Sequence, residues 1–186
     1  MAISQARIWT YDDYMRMPDD GKRYEILDGE LIELTSPNRQ HQQILGRLFR
    51  VLSEYVENNV LGEVYIGPFD VRLSLINVIQ PDVLFISTNN LRILDNDLNV
   101  QGAPDLCVEI LSPSTRRRDL AQKRDIYARF GVREYWLVDP DAERVTVLTL
   151  DAGRYVPWGE ANGDAGVPSL VLPDLPVVAA SLFPSA

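Results

Sequence analysis

Residues 104–124 read Pro104-Asp105-Leu106-Cys107-Val108-Glu109-Ile110-Leu111-Ser112-Pro113-Ser114-Thr115-Arg116-Arg117-Arg118-Asp119-Leu120-Ala121-Gln122-Lys123-Arg124, and they decide the fold. Asp105 to Ser112 is almost continuously apolar, the pattern of a strand buried on both faces. Pro113 to Arg118 reads as a turn. Asp119 to Phe130 reads as a helix, with Asp119 near its N-cap and Gly131 as its C-terminal stop. A second apolar strand, Glu134 to Val138, follows at once. A buried strand, a short turn, a helix and another strand point to a mixed sheet crossed by helices on its faces.

Working outward, Tyr24 to Leu34 contains the pair Asp28-Gly29 between two apolar-rich runs, a hairpin signal because a tight primed turn needs residues that tolerate positive φ. His41 to Val60 is the clearest helix: Ile44, Leu45, Leu48, Val51, Leu52, Tyr55 and Val56 repeat at helical spacing, and Asn38 is placed to cap it. Glu63 to Leu75 is predicted to be one strand bent near Gly67-Pro68. Pro81 to Ile86 is a short strand, and Ser87 to Ala103 a polar loop. Arg144 to Leu150 continues the sheet after an Asp139-Pro140-Asp141 turn, with a short strand at Gly153 to Pro157. Trp9 to Met17 is a short mixed segment with helical character. One domain over residues 1–186 is expected, its core about 22–157 and its apolar tail, Leu170 to Leu182, packed on the surface.

Composition excludes several kinds of chemistry. One cysteine, Cys107, and one histidine, His41, rule out a disulfide framework, a zinc finger and a multi-histidine centre within one chain. A Ser-His-Asp triad would need His41 as its base. No run approaches the ~20 apolar residues of a membrane span. Met1 to Thr10 lacks an apolar signal core, so a cytoplasmic protein is expected. The net charge of −9 opposes DNA at long range. What counts is charge at the binding face, and the densest positive segment is Arg116, Arg117, Arg118, Lys123 and Arg124.

Two acids sit where acids are costly: Asp82 opens an apolar strand and Glu109 lies inside one. A buried carboxylate needs a cation or metal to offset its desolvation. Lys123 shares a helix face with Leu120, Tyr127 and Phe130, so it either snorkels outward or meets a buried acid. Two acids and a lysine suit metal-assisted phosphodiester cleavage, with oxygen ligands for magnesium or manganese and an ammonium for developing charge. His41, at the helix start, could assist. Glu25 could face the same cleft from the hairpin or be an exposed cross-strand acid. Asp70 is either part of the site or an edge acid paired with Arg72 or a neighbour. Arg116, Arg117, Arg118 and Arg124 could grip phosphates or simply be solvated. Cys107 reads as a buried, inert thiol.

Several stretches together resemble the restriction-endonuclease-like Uma-two family. They are Tyr24-Glu25-Ile26-Leu27-Asp28-Gly29-Glu30-Leu31, Ser36-Pro37, His41-Gln42, Gln80-Pro81-Asp82, Gly102-Ala103-Pro104-Asp105-Leu106, Val108 to Thr115, Asp119 with Lys123-Arg124, Tyr127, and Gly131 to Pro140. The resemblance implies the PD-(D/E)XK nuclease superfamily: an α/β restriction-endonuclease-like core of helix, three strands, helix and strand, here with a mixed sheet and an N-terminal β-hairpin. It implies a metal-dependent endonuclease acting on DNA, with Asp82 and Glu109 as metal ligands. Leu111 stands where the pattern has its strand lysine, and Lys123 is the natural migrated substitute. Such nucleases often act as homodimers, and Tyr135-Trp136 with the Pro-rich tail could form a twofold interface. The alternative is a catalytically inactive protein of the same fold that binds nucleic acid or a protein.

Overall fold

In the computed structural model, which describes residues 7–184, ten strands form two sheets. Met1 to Ala6, part of the stretch read for a targeting signal, lies outside the described residues. No described helix is long and apolar enough to cross a membrane.

A short helix α1 (Tyr11–Met15) opens on a capping box between Thr10 and Asp13, which satisfies two N-terminal amides. Strands β1 (Arg23–Leu27) and β2 (Glu30–Leu34) form the expected hairpin, and Asp28 and Gly29 have φ of 48° and 82°, as a primed turn requires. Helix α2 (Arg39–Asn58) is capped by Asn38, whose side chain accepts from His41 N at 2.8 Å.

The stretch predicted as one bent strand is two, in different sheets: β3 (Gly62–Ile66) and β4 (Val71–Ser74). Pro68 has no amide for a ladder, and the chain changes sheets there. A three-residue strand, β5 (Asn77–Ile79), is too short to show periodicity. Then come β6 (Val83–Ser87), a 3-10 helix over Thr88–Leu94 where a loop was expected, and β7 (Leu106–Ile110). A π-helical turn (Arg118–Lys123) runs directly into α3 (Arg124–Phe130), ended by Gly131 at φ 89°. Strands β8 (Glu134–Asp139), β9 (Arg144–Asp151) and β10 (Arg154–Asn162) complete the order. β10 is longer than its sequence pattern suggests, because it continues through a bulge between Pro157 and Gly159.

The larger sheet has the order β10-β9-β8-β7-β6-β3, and the smaller β2-β1-β5-β4. Only β7 and β8 run parallel, joined by the π-turn and α3; the other pairs are antiparallel. Read as α2, then β3, β6 and β7, then α3 and β8, the core has the expected restriction-endonuclease-like order, with β4 and β5 inserted.

One face of the larger sheet packs Val83, Phe85, Val108, Ile110 and Trp136 against Ile44, Leu48 and Leu52 of α2. Each such buried side chain contributes roughly 1.5–3 kcal/mol. The tail belongs to this cluster rather than to the surface: Leu172, Val177, Ala179 and Leu182 are buried in it. The opposite face packs Cys107, Tyr135 and Leu137 against Ile126 and Tyr127 of α3 and against Leu27 and Ile79 of the smaller sheet. Tyr135 and Trp136 are fully buried, so this pair forms core and not the twofold interface it suggested.

Candidate metal and nuclease site

The site forms where β6 begins and β7 ends. Antiparallel pairing sets Val83 opposite Val108; one residue further, the same register brings Asp82 beside Glu109. The sheet is not closed there by backbone. Instead Asp82 Oδ2 accepts the amide of Ile110 at 2.7 Å. The chain on the other side of β7 takes the next amide, Leu111 N, on Val138 O at 2.8 Å. Asp82 is therefore fixed by its own strand neighbour, with Oδ1 left without a hydrogen bond from the described residues.

His41 reaches the same carboxylate from the first turn of α2, with Nε2 3.2 Å from Asp82 Oδ2. An ionised Asp82 requires Nε2 to carry the proton. The other ring nitrogen, Nδ1, is buried and has no partner.

Glu109 and Lys123 meet as their strand and helix positions predict. Lys123 Nζ lies 3.0 Å from Glu109 Oε1 and 2.9 Å from Glu25 Oε1, with Asp119 Oδ1 at 3.7 Å. The Tyr127 hydroxyl also donates to Glu109 Oε1, at 2.9 Å. Glu25 is anchored by Gln80 N at 2.8 Å and is 1% exposed, so the hairpin turns it inward rather than to solvent. Its Oε2 is buried without a partner.

Asp82, Glu109, Glu25, Lys123 and His41 all line one cleft of about 260 Å³. Its outer walls are Thr35 to Asn38 and Ser112 to Thr115, which touch through Thr35 Oγ1 and Ser114 Oγ at 3.1 Å. Arg23 is the one arginine among its lining residues.

Around this cleft four carboxylates face one ammonium, one imidazole and the Arg23 guanidinium. Burial pushes the Glu109 carboxyl well up; Lys123 pulls it back, while Asp119, Asp82 and Glu25 push it further. Burial works against a charged Lys123, but Glu109, Glu25 and Asp119 overcome it and keep the amine protonated. The surplus of negative charge calls for a further cation. The donor chemistry fits a hydrated divalent ion, because Asp82 and Glu109 offer carboxylate oxygens at the cleft. Among the described residues no three His, Cys, Asp or Glu side chains are spaced to enclose a metal. An ion held here would keep much of its water shell, as magnesium does.

The other candidates lie elsewhere. Asp70 accepts from Gln80 Nε2 at 2.9 Å, not from Arg72, and is outside the cleft lining; burial raises its carboxyl. Arg116 donates to Asp139 at 2.7 Å, and Arg124 to Tyr155 O at 3.3 Å. Arg117 is exposed in the first turn of the helix that follows Thr115, and Arg118 is half-buried. The Cys107 thiol is fully buried, and burial drives it well above its ordinary range.

Asp119 is the residue that sequence reading misplaced. It does not cap the helix; it is 1% exposed, while Leu120, expected inside, is 40% exposed. Asp119 stands one helical turn before Lys123, and Tyr127 one turn after it, so the three share the inner face, while the wider winding of the π-turn carries Leu120 further out. Nothing in the local apolar pattern announces such a turn.

No curated protein matches this chain. Among solved structures, a putative nuclease belonging to DUF820 from Anabaena variabilis ATCC 29413 superposes with a TM-score of 0.78 at 21% identity, covering 94% of this chain and 97% of that one. At that identity the likeness speaks for the fold. Residues 11–180 match the family described as "Uma2: Putative restriction endonuclease", and the chain therefore belongs to the Uma2 family.

Proposed function

We propose that the protein is a divalent-metal-dependent endonuclease that hydrolyses DNA phosphodiester bonds, acting as one cytoplasmic domain. The observation that carries this reading is the convergence of Asp82, Glu109 and Lys123 in one cleft. Asp82 and Glu109 would hold magnesium or manganese. Such an ion supplies Lewis acidity toward a phosphoryl oxygen and neutralises charge on the phosphate. Lys123 uses two of its three N–H groups on Glu25 and Glu109. The third is free to orient an attacking water or to stabilise charge developing on the phosphate. His41 holds Asp82 in place. Arg23 at the cleft and Arg117 beside it are placed to meet flanking phosphates, a role less suited to Arg116 and Arg124, which are already bonded.

A second reading is a nuclease-fold protein that binds nucleic acid or a partner, as a homodimer, without cutting. The observation in its favour is Leu111 at the usual lysine position, with its replacement Lys123 tied to two carboxylates. Magnesium titration of the wild type, Asp82→Asn and Glu109→Gln, followed by cleavage of mixed DNA substrates, separates the two. Metal-dependent cleavage lost in both variants supports the enzyme. Metal binding without cleavage supports the binding protein.

A further inference from the structure

The helix that carries Lys123 contains a π-helical turn, Arg118–Lys123. π-turns are rare and concentrate at functional sites. Within this one Leu120 is 40% exposed, and a carboxylate, Asp119, is buried one turn before Lys123. Both features oppose folding: a leucine loses burial worth roughly 1.5–3 kcal/mol, and an acid is desolvated. The Thr115 hydroxyl lies close to the Asp119 carboxylate, but neither oxygen makes a well-aligned hydrogen bond. Its nearest cation is Lys123 Nζ, at 3.7 Å. A residue brought inside at such cost, and left incompletely bonded, requires an explanation beyond packing.

Resting on the nuclease reading above, we infer that Asp119 is a positioning residue that steers the ammonium of Lys123 from one turn earlier on the same helix. A lysine side chain has four flexible carbons and a compact charge. Glu25 and Glu109 each accept one of its three N–H bonds. Asp119 Oδ1 lies 3.7 Å from the same Nζ, outside hydrogen-bonding distance. It attracts the third N–H without capturing it in a short bond, so the ammonium is aimed but not saturated. The chain uses arginine at sixteen of its eighteen basic positions, and its only lysines are Lys22 and Lys123. A small ammonium fits among these carboxylates, where a planar guanidinium would need a wider space and a fork of acceptors.

The presence of only two lysines makes the test direct. Protein labelled with 15N-lysine gives two side-chain Nζ signals, one from exposed Lys22 and one from buried Lys123. In the wild type, the Lys123 signal is expected to be sharp, with slow proton exchange. In Asp119→Asn it is expected to broaden or exchange at least ~10-fold faster, because the third N–H loses its charged guide. Magnesium affinity should stay within about threefold, since Asp119 is not a ligand. The kcat for oligonucleotide cleavage should fall ~100-fold with KM little changed, the mark of a misplaced catalytic group. Asp119→Glu should recover part of both the signal and kcat. Asp119→Leu, which turns the buried position apolar, checks that loss of the signal follows the charge rather than unfolding, read by melting temperature.

An unchanged Lys123 signal and unchanged kcat in Asp119→Asn would overturn the inference. Should the wild type cleave nothing, the nuclease reading fails. The Nζ signal still decides whether Asp119 positions the lysine.

Discussion

Two glutamates on neighbouring strands of the same sheet are buried to nearly the same degree, and they do opposite things. Glu134, at the start of β8, is fully buried. Its Oε1 accepts from Trp136 Nε1 at 2.6 Å and Ser169 Oγ at 2.7 Å, and its Oε2 from Leu170 N at 2.6 Å and Val171 N at 3.2 Å. Every donor is neutral, and together they staple the C-terminal tail to the sheet. Glu109, on β7, crowds Lys123 and Tyr127 onto Oε1, while Oε2 accepts no hydrogen bond from the described residues. Burial alone therefore does not mark a functional acid. What sets Glu109 apart is one-sided satisfaction, a cleft at its open side and three further carboxylates nearby.

The comparison can be broken by substitution, and the largest effect belongs to Glu109. Glu109→Gln should reduce cleavage by at least ~10³-fold, within the range for removing a key electrostatic group. It should also abolish magnesium binding, and removing one partner of a buried ion pair should lower the melting temperature, with Glu25 and Asp119 still facing Lys123. Glu134→Ala should act on stability alone. Four donors lose their acceptor, and stability should fall by ~3 kcal/mol or more, roughly 10 °C in a chain of this length, with magnesium affinity intact. A Glu134→Ala protein that melts normally would mean that the tail holds itself.

His41→Ala sharpens the contrast at smaller scale. It removes a partner of the proposed ligand Asp82 rather than the ligand itself, and such changes cost ~10–100-fold in affinity or activity. Magnesium titration alongside kinetics shows which of the two falls.

The smallest effect is expected at Arg116, which bonds Asp139. That hydrogen bond holds the Asp139 carboxyl below its ordinary value of 3.8. A carboxyl lowered in the folded state adds stability above its unfolded pKa and loses it as pH falls through the folded pKa. Arg116→Ala should therefore lower stability only slightly at neutral pH and not at all once the solution is acid enough to protonate Asp139 in both states. Urea melts at several pH values test this. A loss of DNA affinity as large as that of an Arg117→Ala variant would instead give Arg116 a phosphate.

Much of this site was legible before any coordinates. Asp82 and Glu109 were marked by acids inside apolar runs, and Lys123 by its helix face. Asn38, Gly131 and the Asp28-Gly29 turn carried their local chemistry openly. Asp119 reads as a cap when the face is judged from Leu120, although Asp119, Lys123 and Tyr127 stand four residues apart and so share one helical face; the π-turn that carries Leu120 outward leaves no trace in the sequence. β5 is too short to have a period. Glu25 looked like a solvent-facing member of a hairpin, since the sequence does not say that the smaller sheet folds over the end of the larger one. The tail's burial was understated because its anchor, Glu134, looked like the polar first residue of a strand.

The most direct test is calorimetric magnesium titration of three proteins: wild type, Glu109→Gln and Glu134→Gln. If the two glutamates differ as described, the wild type and Glu134→Gln bind magnesium and Glu109→Gln does not. Absence of binding in the wild type, or equal binding in all three, would contradict the metal site at Asp82 and Glu109.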